Sequence, residues 1–143
     1  MPVRVSARGI IIVDGRLLVQ ISKSRRWYRL PGGRVGSSET VDETVRRELE
    51  EELGVSVEPR KLVYIVESFY KRRGRLIHDV GFYYLCRMRG EPRPRESHLR
   101  VAWVEPGSLN ESNFRPRALS PLLREHCRRG FPGNVVHIVS VEV

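Results

Sequence analysis

Cysteine is nearly missing from this chain: Cys86 and Cys127 stand alone, far apart and outside any CxxC pair. That excludes a disulfide framework, a zinc finger and a dithiol redox motif, and leaves two thiols that read as buried or half-buried. Long apolar runs are missing as well. No stretch approaches the roughly 20 residues that cross a bilayer, and the opening MPVRVSARG lacks the apolar centre of a secretory signal. A cytoplasmic chain with no membrane partner is expected. Lysine is scarce, occurring only as Lys23, Lys61 and Lys71, so arginine supplies nearly all of the 26 basic residues. Glutamine occurs once, as Gln20. Repeats, low-complexity runs and linkers are absent, and residues 1–143 read as a single domain.

What is present is a globular composition, 40% hydrophobic and 30% charged, at a length that supports a real core. The net charge of +9 favours phosphorylated ligands, because arginine forks match phosphate oxygens bidentately. The same charge is compatible with RNA. Most of it reads as a compositional habit.

Periodicity and turns give the order of elements. Val3 to Val13 is strand-like, Asp14-Gly15 is a hairpin turn, and Leu17 to Ile21 is the returning strand. A basic connection over Ser22 to Arg26 leads to a short extended piece at Trp27 to Leu30, kept out of helix by Pro31. Leu62 to Tyr70 and Leu76 to Met88 are apolar strands joined by the basic turn Lys71 to Arg75. A loop over Gly90 to Arg100, a strand at Val101 to Val104 and a helix at Leu119 to Cys127, introduced by Pro116 or Pro121, follow. Val135 to Val143 alternates as a last strand, which either completes the sheet or pairs with a second copy, making a homodimer. This order fits a mixed sheet covered by helices on both sides.

One segment concentrates chemistry: GRVGSSETVDETVRRELEEELGV, from Gly33 to Val55. Thr40 with Glu43 forms a capping box, and Gly54 is placed to end the helix in a left-handed conformation, which predicts a helix over Val41 to Leu53. Val41, Val45, Leu49 and Leu53 make its buried stripe. At about 100° per residue, Glu48, Glu51 and Glu52 crowd along one edge of that stripe and Glu50 points to water. Carboxylates packed this closely repel one another, and a hard divalent cation is the usual reason to tolerate them.

Gly33, Glu39 and the run Arg47-Glu48-Leu49-Glu50-Glu51-Glu52-Leu53-Gly54-Val55, entered through Trp27-Tyr28-Arg29-Leu30-Pro31-Gly32, resemble the Nudix box at every defining position. The resemblance implies a Nudix-like α/β/α sandwich with a mixed β-sheet. It also implies a hydrolase using magnesium or manganese to cleave a diphosphate linked to another moiety. Carried onto these positions, it makes Glu48 and Glu52 the leading metal ligands, with Glu51 shared or water-mediated and the Gly32 carbonyl a further ligand, Gly33 letting that backbone come close. Gly33, Glu39 and Gly54 take structural places in the box, and Arg47 ties loop to helix and orients a neighbouring carboxylate. The general base is a box glutamate or an acid of a later loop; Glu96 is the leading later candidate, ahead of Glu91 and Glu105. His78 is read as structural, or as facing the substrate together with Asp79.

Arg8, Arg29 and Tyr70 are candidate substrate contacts. Three functions remain open at this level. The first is a pyrophosphohydrolase of a nucleoside triphosphate, an ADP-ribose-like compound or a dinucleoside polyphosphate. The second is an RNA 5′-end pyrophosphohydrolase, and the third a non-catalytic nucleotide sensor.

Overall fold

A computed structural model describes residues 3–22, 26–131 and 133–143. The apolar stretch expected as one strand over Val3 to Val13 divides into β1 (Val3–Ile10) and β2 (Ile12–Val13), which enter different sheets. Apolar residues continue through the division, so periodicity does not reveal it. Asp14 and Gly15, both with positive φ (53° and 77°), turn β2 into β3 (Arg16–Ser22). Positions 23–25 of the basic connection lie outside the described residues. β4 (Tyr28–Arg29) follows, then β5 (Gly32–Arg34), a short strand the two glycines conceal. It pairs antiparallel with β1, setting Gly33 opposite Ala7 and Gly32 opposite Arg8.

Helix α1 (Val41–Leu53) forms where its caps require. The Glu43 amide donates to the Thr40 hydroxyl at 3.3 Å and the Thr40 amide donates to the Glu43 carboxylate at 2.9 Å. Gly54 closes the helix at φ 69°, its amide donating to the Glu50 carbonyl. Val45, Leu49 and Leu53 are fully buried, each contributing about 1.5–3 kcal/mol over an exposed position. The two long strands β6 (Ser56–Arg72) and β7 (Arg75–Arg89) make a hairpin, followed by β8 (Leu99–Val104), α2 (Ser120–Arg129) and β9 (Val136–Glu142). Pro121 sits in the first turn of α2, while Pro116 precedes a short 3-10 turn ahead of it.

The larger sheet has the order β5-β1-β7-β6-β9. Its β1–β7 and β6–β9 pairs are parallel and the others antiparallel, so the sheet is mixed. The terminal strand completes this sheet at its edge, along β6 from Tyr64 to Tyr70. The smaller sheet is built on β3, which pairs β2, β4 and β8. α1 covers one face of the larger sheet over Ala7 and Cys86. The opposite face shares a core with the smaller sheet and α2, centred on Tyr64, Phe114 and Leu123. The result is an α/β/α sandwich. Among the described residues no helix is long and apolar enough to cross a membrane.

Candidate active site

The loop before α1 and the acidic edge of α1 meet at one arginine. Arg47 donates to both oxygens of Glu39, at 2.6 and 2.9 Å, and also to Glu48 at 3.0 Å, Glu51 at 3.2 Å and the Arg34 carbonyl at 3.3 Å. Glu39 in turn accepts from the Gly36 amide and the Thr44 hydroxyl, each at 2.9 Å. The Arg47 guanidinium holds the Glu39 carboxyl down at about 2. Loop and helix are thus tied by a carboxylate that stays ionised.

The glycines position a second acid. A Cβ on Gly33 would lie 2.5 Å from the Glu48 carboxyl carbon, so the absence of a side chain there makes room for that carboxylate. The close backbone approach belongs to Gly32, whose φ of 146° and whose virtual Cβ 2.1 Å from the Ala7 carbonyl admit only glycine.

Glu52 is different. It is half-buried, and desolvation, reinforced by its hydrogen bond with Glu48, pushes its carboxyl up to about 7. Two groups oppose the shift: the Gln20 amide, which donates to Glu52, and the charge of Arg8. Gln20 is wholly buried in β3, and its Oε1 has no hydrogen-bond partner among the described residues. The signal for it was present in the sequence, since one polar residue interrupts the apolar strand Leu17 to Ile21.

The loop after β7 crosses the C-terminal end of α1, where the Arg93 amide donates to the Leu53 carbonyl and the Arg95 amide to the Glu52 carbonyl. Glu96 therefore follows a residue pinned to the helix, and its carboxylate pairs with His98 at 3.1 Å. Glu91 and Glu105 are exposed and pair with Arg93 and Arg16. Glu51 is 60% exposed and accepts from Arg47, and Glu50 is exposed as well.

Arg8 donates to the Leu30 carbonyl at 3.2 Å and acts electrostatically on both Glu52 and Tyr83. On the same sheet face, Arg4 donates to the Tyr70 hydroxyl at 3.2 Å and Ser6 donates to Asp79 at 2.9 Å. Arg29 is half-buried in β4 opposite Gln20. Asp79 and His78 do not act together: successive strand residues face opposite ways, and His78 bonds Glu67 on the other face of the sheet.

Comparison with known proteins places these observations. The NUDIX domain model matches residues 3–124. A Haemophilus influenzae protein named 8-oxo-dGTP diphosphatase is 35% identical over 86 residues, 60% of each chain. A protein of the same name from Buchnera aphidicola is 24% identical over 110 residues, 74% of this chain and 80% of that one. The solved structure of a MutT NUDIX hydrolase from Burkholderia pseudomallei is 27% identical with a TM-score of 0.68, covering 87% of this chain and 98% of that one.

Proposed function

This chain belongs to the NUDIX domain family of hydrolases acting on phosphorus-containing acid anhydrides, and from that membership we propose that it is a magnesium- or manganese-dependent pyrophosphohydrolase of a nucleoside triphosphate. The observation that carries this reading is the Glu48–Glu52 pair, held half-buried beside Gln20 with Glu52 raised to about 7. A half-buried carboxylate pair and an amide oxygen with no partner among the described residues form a donor set of the hard, oxygen-only type that such cations prefer. Among the described residues no three acids, histidines or cysteines converge to hold a metal by themselves. Magnesium would need only one or two protein carboxylates, its remaining ligands being waters and substrate phosphates. Glu48 and Glu52 would hold the ion, with Glu51 and the Gly32 carbonyl contributing, and the ion would neutralise the phosphates so that water can approach phosphorus.

The chain's own groups do the rest. Water adds to one phosphorus, the bridging P–O bond breaks, and the leaving phosphate departs with its electrons. The proton of the water passes to a carboxylate, either a box glutamate or Glu96. Arg47 keeps Glu48 and Glu39 in place and compensates their charge. Arg8 lies within electrostatic reach of Glu52 and supplies positive charge toward the phosphates. Tyr70, Ser6 and Asp79 stand on one face of the larger sheet and Arg29 on β4 of the smaller sheet; these groups would receive the nucleoside.

The names of two relatives favour a nucleoside triphosphate over ADP-ribose or a dinucleoside polyphosphate. Purified protein is incubated with magnesium and dGTP, 8-oxo-dGTP, ADP-ribose, a dinucleoside polyphosphate or triphosphorylated RNA, and the released products are separated. Pyrophosphate and monophosphate from a triphosphate, abolished by chelator, is the expected result. Silence on every substrate would leave the nucleotide-sensor reading, and turnover of RNA alone would replace the substrate.

A further inference from the structure

The face of the larger sheet away from α1 runs from the proposed phosphate end to a polar pair that the hydrolysis itself does not use. Alternation along β1 puts Arg8, Ser6 and Arg4 on this face. The ladders set Asp79 beside Arg4, and Ser68 beside Asp79. Arg8 and Arg4 are four residues apart, about 13 Å along the strand. That is the reach of a nucleotide from its inner phosphates to the far edge of its base.

Asp79 is held in place with one oxygen left over. Ser6 donates to its Oδ2 at 2.9 Å. Gly81 makes room for that bond, since a Cβ there would lie 2.9 Å from the Tyr83 ring and 3.2 Å from the Ser6 hydroxyl. Arg4 stands directly beside Asp79 in the ladder, yet it donates to the Tyr70 hydroxyl at 3.2 Å and makes no ion pair with Asp79. Neither Oδ1 of Asp79 nor the Ser68 hydroxyl has a hydrogen-bond partner among the described residues. Both atoms are reached by solvent, although Ser68 as a whole is only 7% exposed. Residues directly opposite in an antiparallel pair have Cβ atoms about 4.5–5.5 Å apart, so one ligand edge can meet both side chains.

A carboxylate offers acceptors and no donor, whereas a serine hydroxyl can donate. Side by side they present a donor next to acceptors. The Watson–Crick edge of guanine is the complement: O6 accepts, while N1–H and the N2 amino group donate. Adenine instead carries an acceptor at N1, whose lone pair would face the carboxylate. Resting on the triphosphate reading above, we infer that Asp79 and Ser68 are specificity-determining residues that select a guanine base. Ser68 donates to O6, and Asp79 accepts from N1–H and the N2 amino group. Oxidation at C8 leaves this edge unchanged, so the pair selects the guanine ring and not its oxidation state.

Calorimetric titration of the full chain with dGMP, dIMP and dAMP in magnesium tests this without requiring turnover. Wild type is expected to bind dGMP about 10–100-fold more tightly than dAMP, the range of one bidentate base contact, with dIMP between them because it lacks the N2 amino group. Asp79→Asn exchanges an acceptor for a donor, so it should abolish the dGMP advantage while dAMP binds as well as before or better, with unchanged circular dichroism. Ser68→Ala should weaken dGMP and dIMP equally and spare dAMP, and it decides the matter if Asp79→Asn fails to fold. Equal binding of dGMP and dAMP by wild type overturns the inference, as does no binding of any of the three at millimolar concentration. So does an Asp79→Asn variant that keeps the preference or weakens all three nucleotides alike. Guanine-selective binding without hydrolysis of any triphosphate keeps the base assignment and overturns the hydrolase reading instead.

Discussion

At the loop end of the box, Glu39 has a partner for each of its oxygens: the Arg47 guanidinium, the Gly36 amide and the Thr44 hydroxyl. At the helix end, Glu52 is desolvated against a second carboxylate and receives one amide from Gln20. The same side chain in the same 23-residue segment is thus held at about 2 in one place and about 7 in the other. A matched guanidinium makes a carboxylate structural. Burial without one leaves it needing a cation that the chain does not supply, which separates the acids that build the site from those that operate it.

The largest effect tests the helix end. Glu52→Gln keeps the shape and removes the charge, so turnover should fall by about 10²–10⁴, the range of a lost catalytic carboxylate, measured as kcat under saturating magnesium. Its fold should persist, because the variant discards a buried charge that desolvation disfavours. A variant that lost activity only through unfolding would erase the contrast with Glu39.

Arg47→Ala attacks the loop end. Glu39, Glu48 and Glu51 all lose their guanidinium, so the melting temperature should fall by several degrees and turnover should fall less than in Glu52→Gln. Equal loss of turnover at unchanged melting temperature would make Arg47 part of the chemistry.

The two acids also carry opposite pH signatures. Glu52, raised from 4.5 to about 7, holds a proton in the folded state that the unfolded chain releases. Its contribution is therefore present below pH 4.5 and is lost as pH rises through about 7. Glu39, lowered from 4.5 to about 2, contributes above pH 4.5 and loses it as pH falls through about 2. In chelator, the melting temperature of Glu52→Gln relative to wild type should rise between pH 5 and 8, a window set by the Glu52 shift. Magnesium should raise the wild-type melting temperature more at pH 8 than at pH 5, because only the ionised pair binds it well. A difference flat with pH would place Glu52 in an ordinary carboxylate environment.

Local signals made α1 legible in the sequence: its caps, its apolar stripe and its acidic edge depend on neighbours within four residues. What was hidden depends on partners far along the chain. Gln20 meets Glu52 across 32 residues and Ser6 meets Asp79 across 73. β5 was concealed because Gly32 and Gly33 read as loop, although they run along β1. The division of Val3 to Val13 was concealed because both halves are apolar. The separation of His78 from Asp79 follows from strand alternation once both lie in β7, which places the Glu67 cluster on the face away from Tyr70 and Arg4.

The smallest effect is the sharpest control. Glu50 shares the run of acids with Glu48, Glu51 and Glu52, yet it falls on the exposed side of α1, and its backbone carbonyl rather than its carboxylate has the structural task of receiving the Gly54 amide. Glu50→Gln leaves that carbonyl in place and removes a charge already in water, where surface substitutions usually stay within about 0.5 kcal/mol. Both kcat and the melting temperature should match wild type. If Glu50→Gln lowered turnover as far as Glu52→Gln, the acids would act through bulk negative charge on the helix, and the distinction between its two sides would fail.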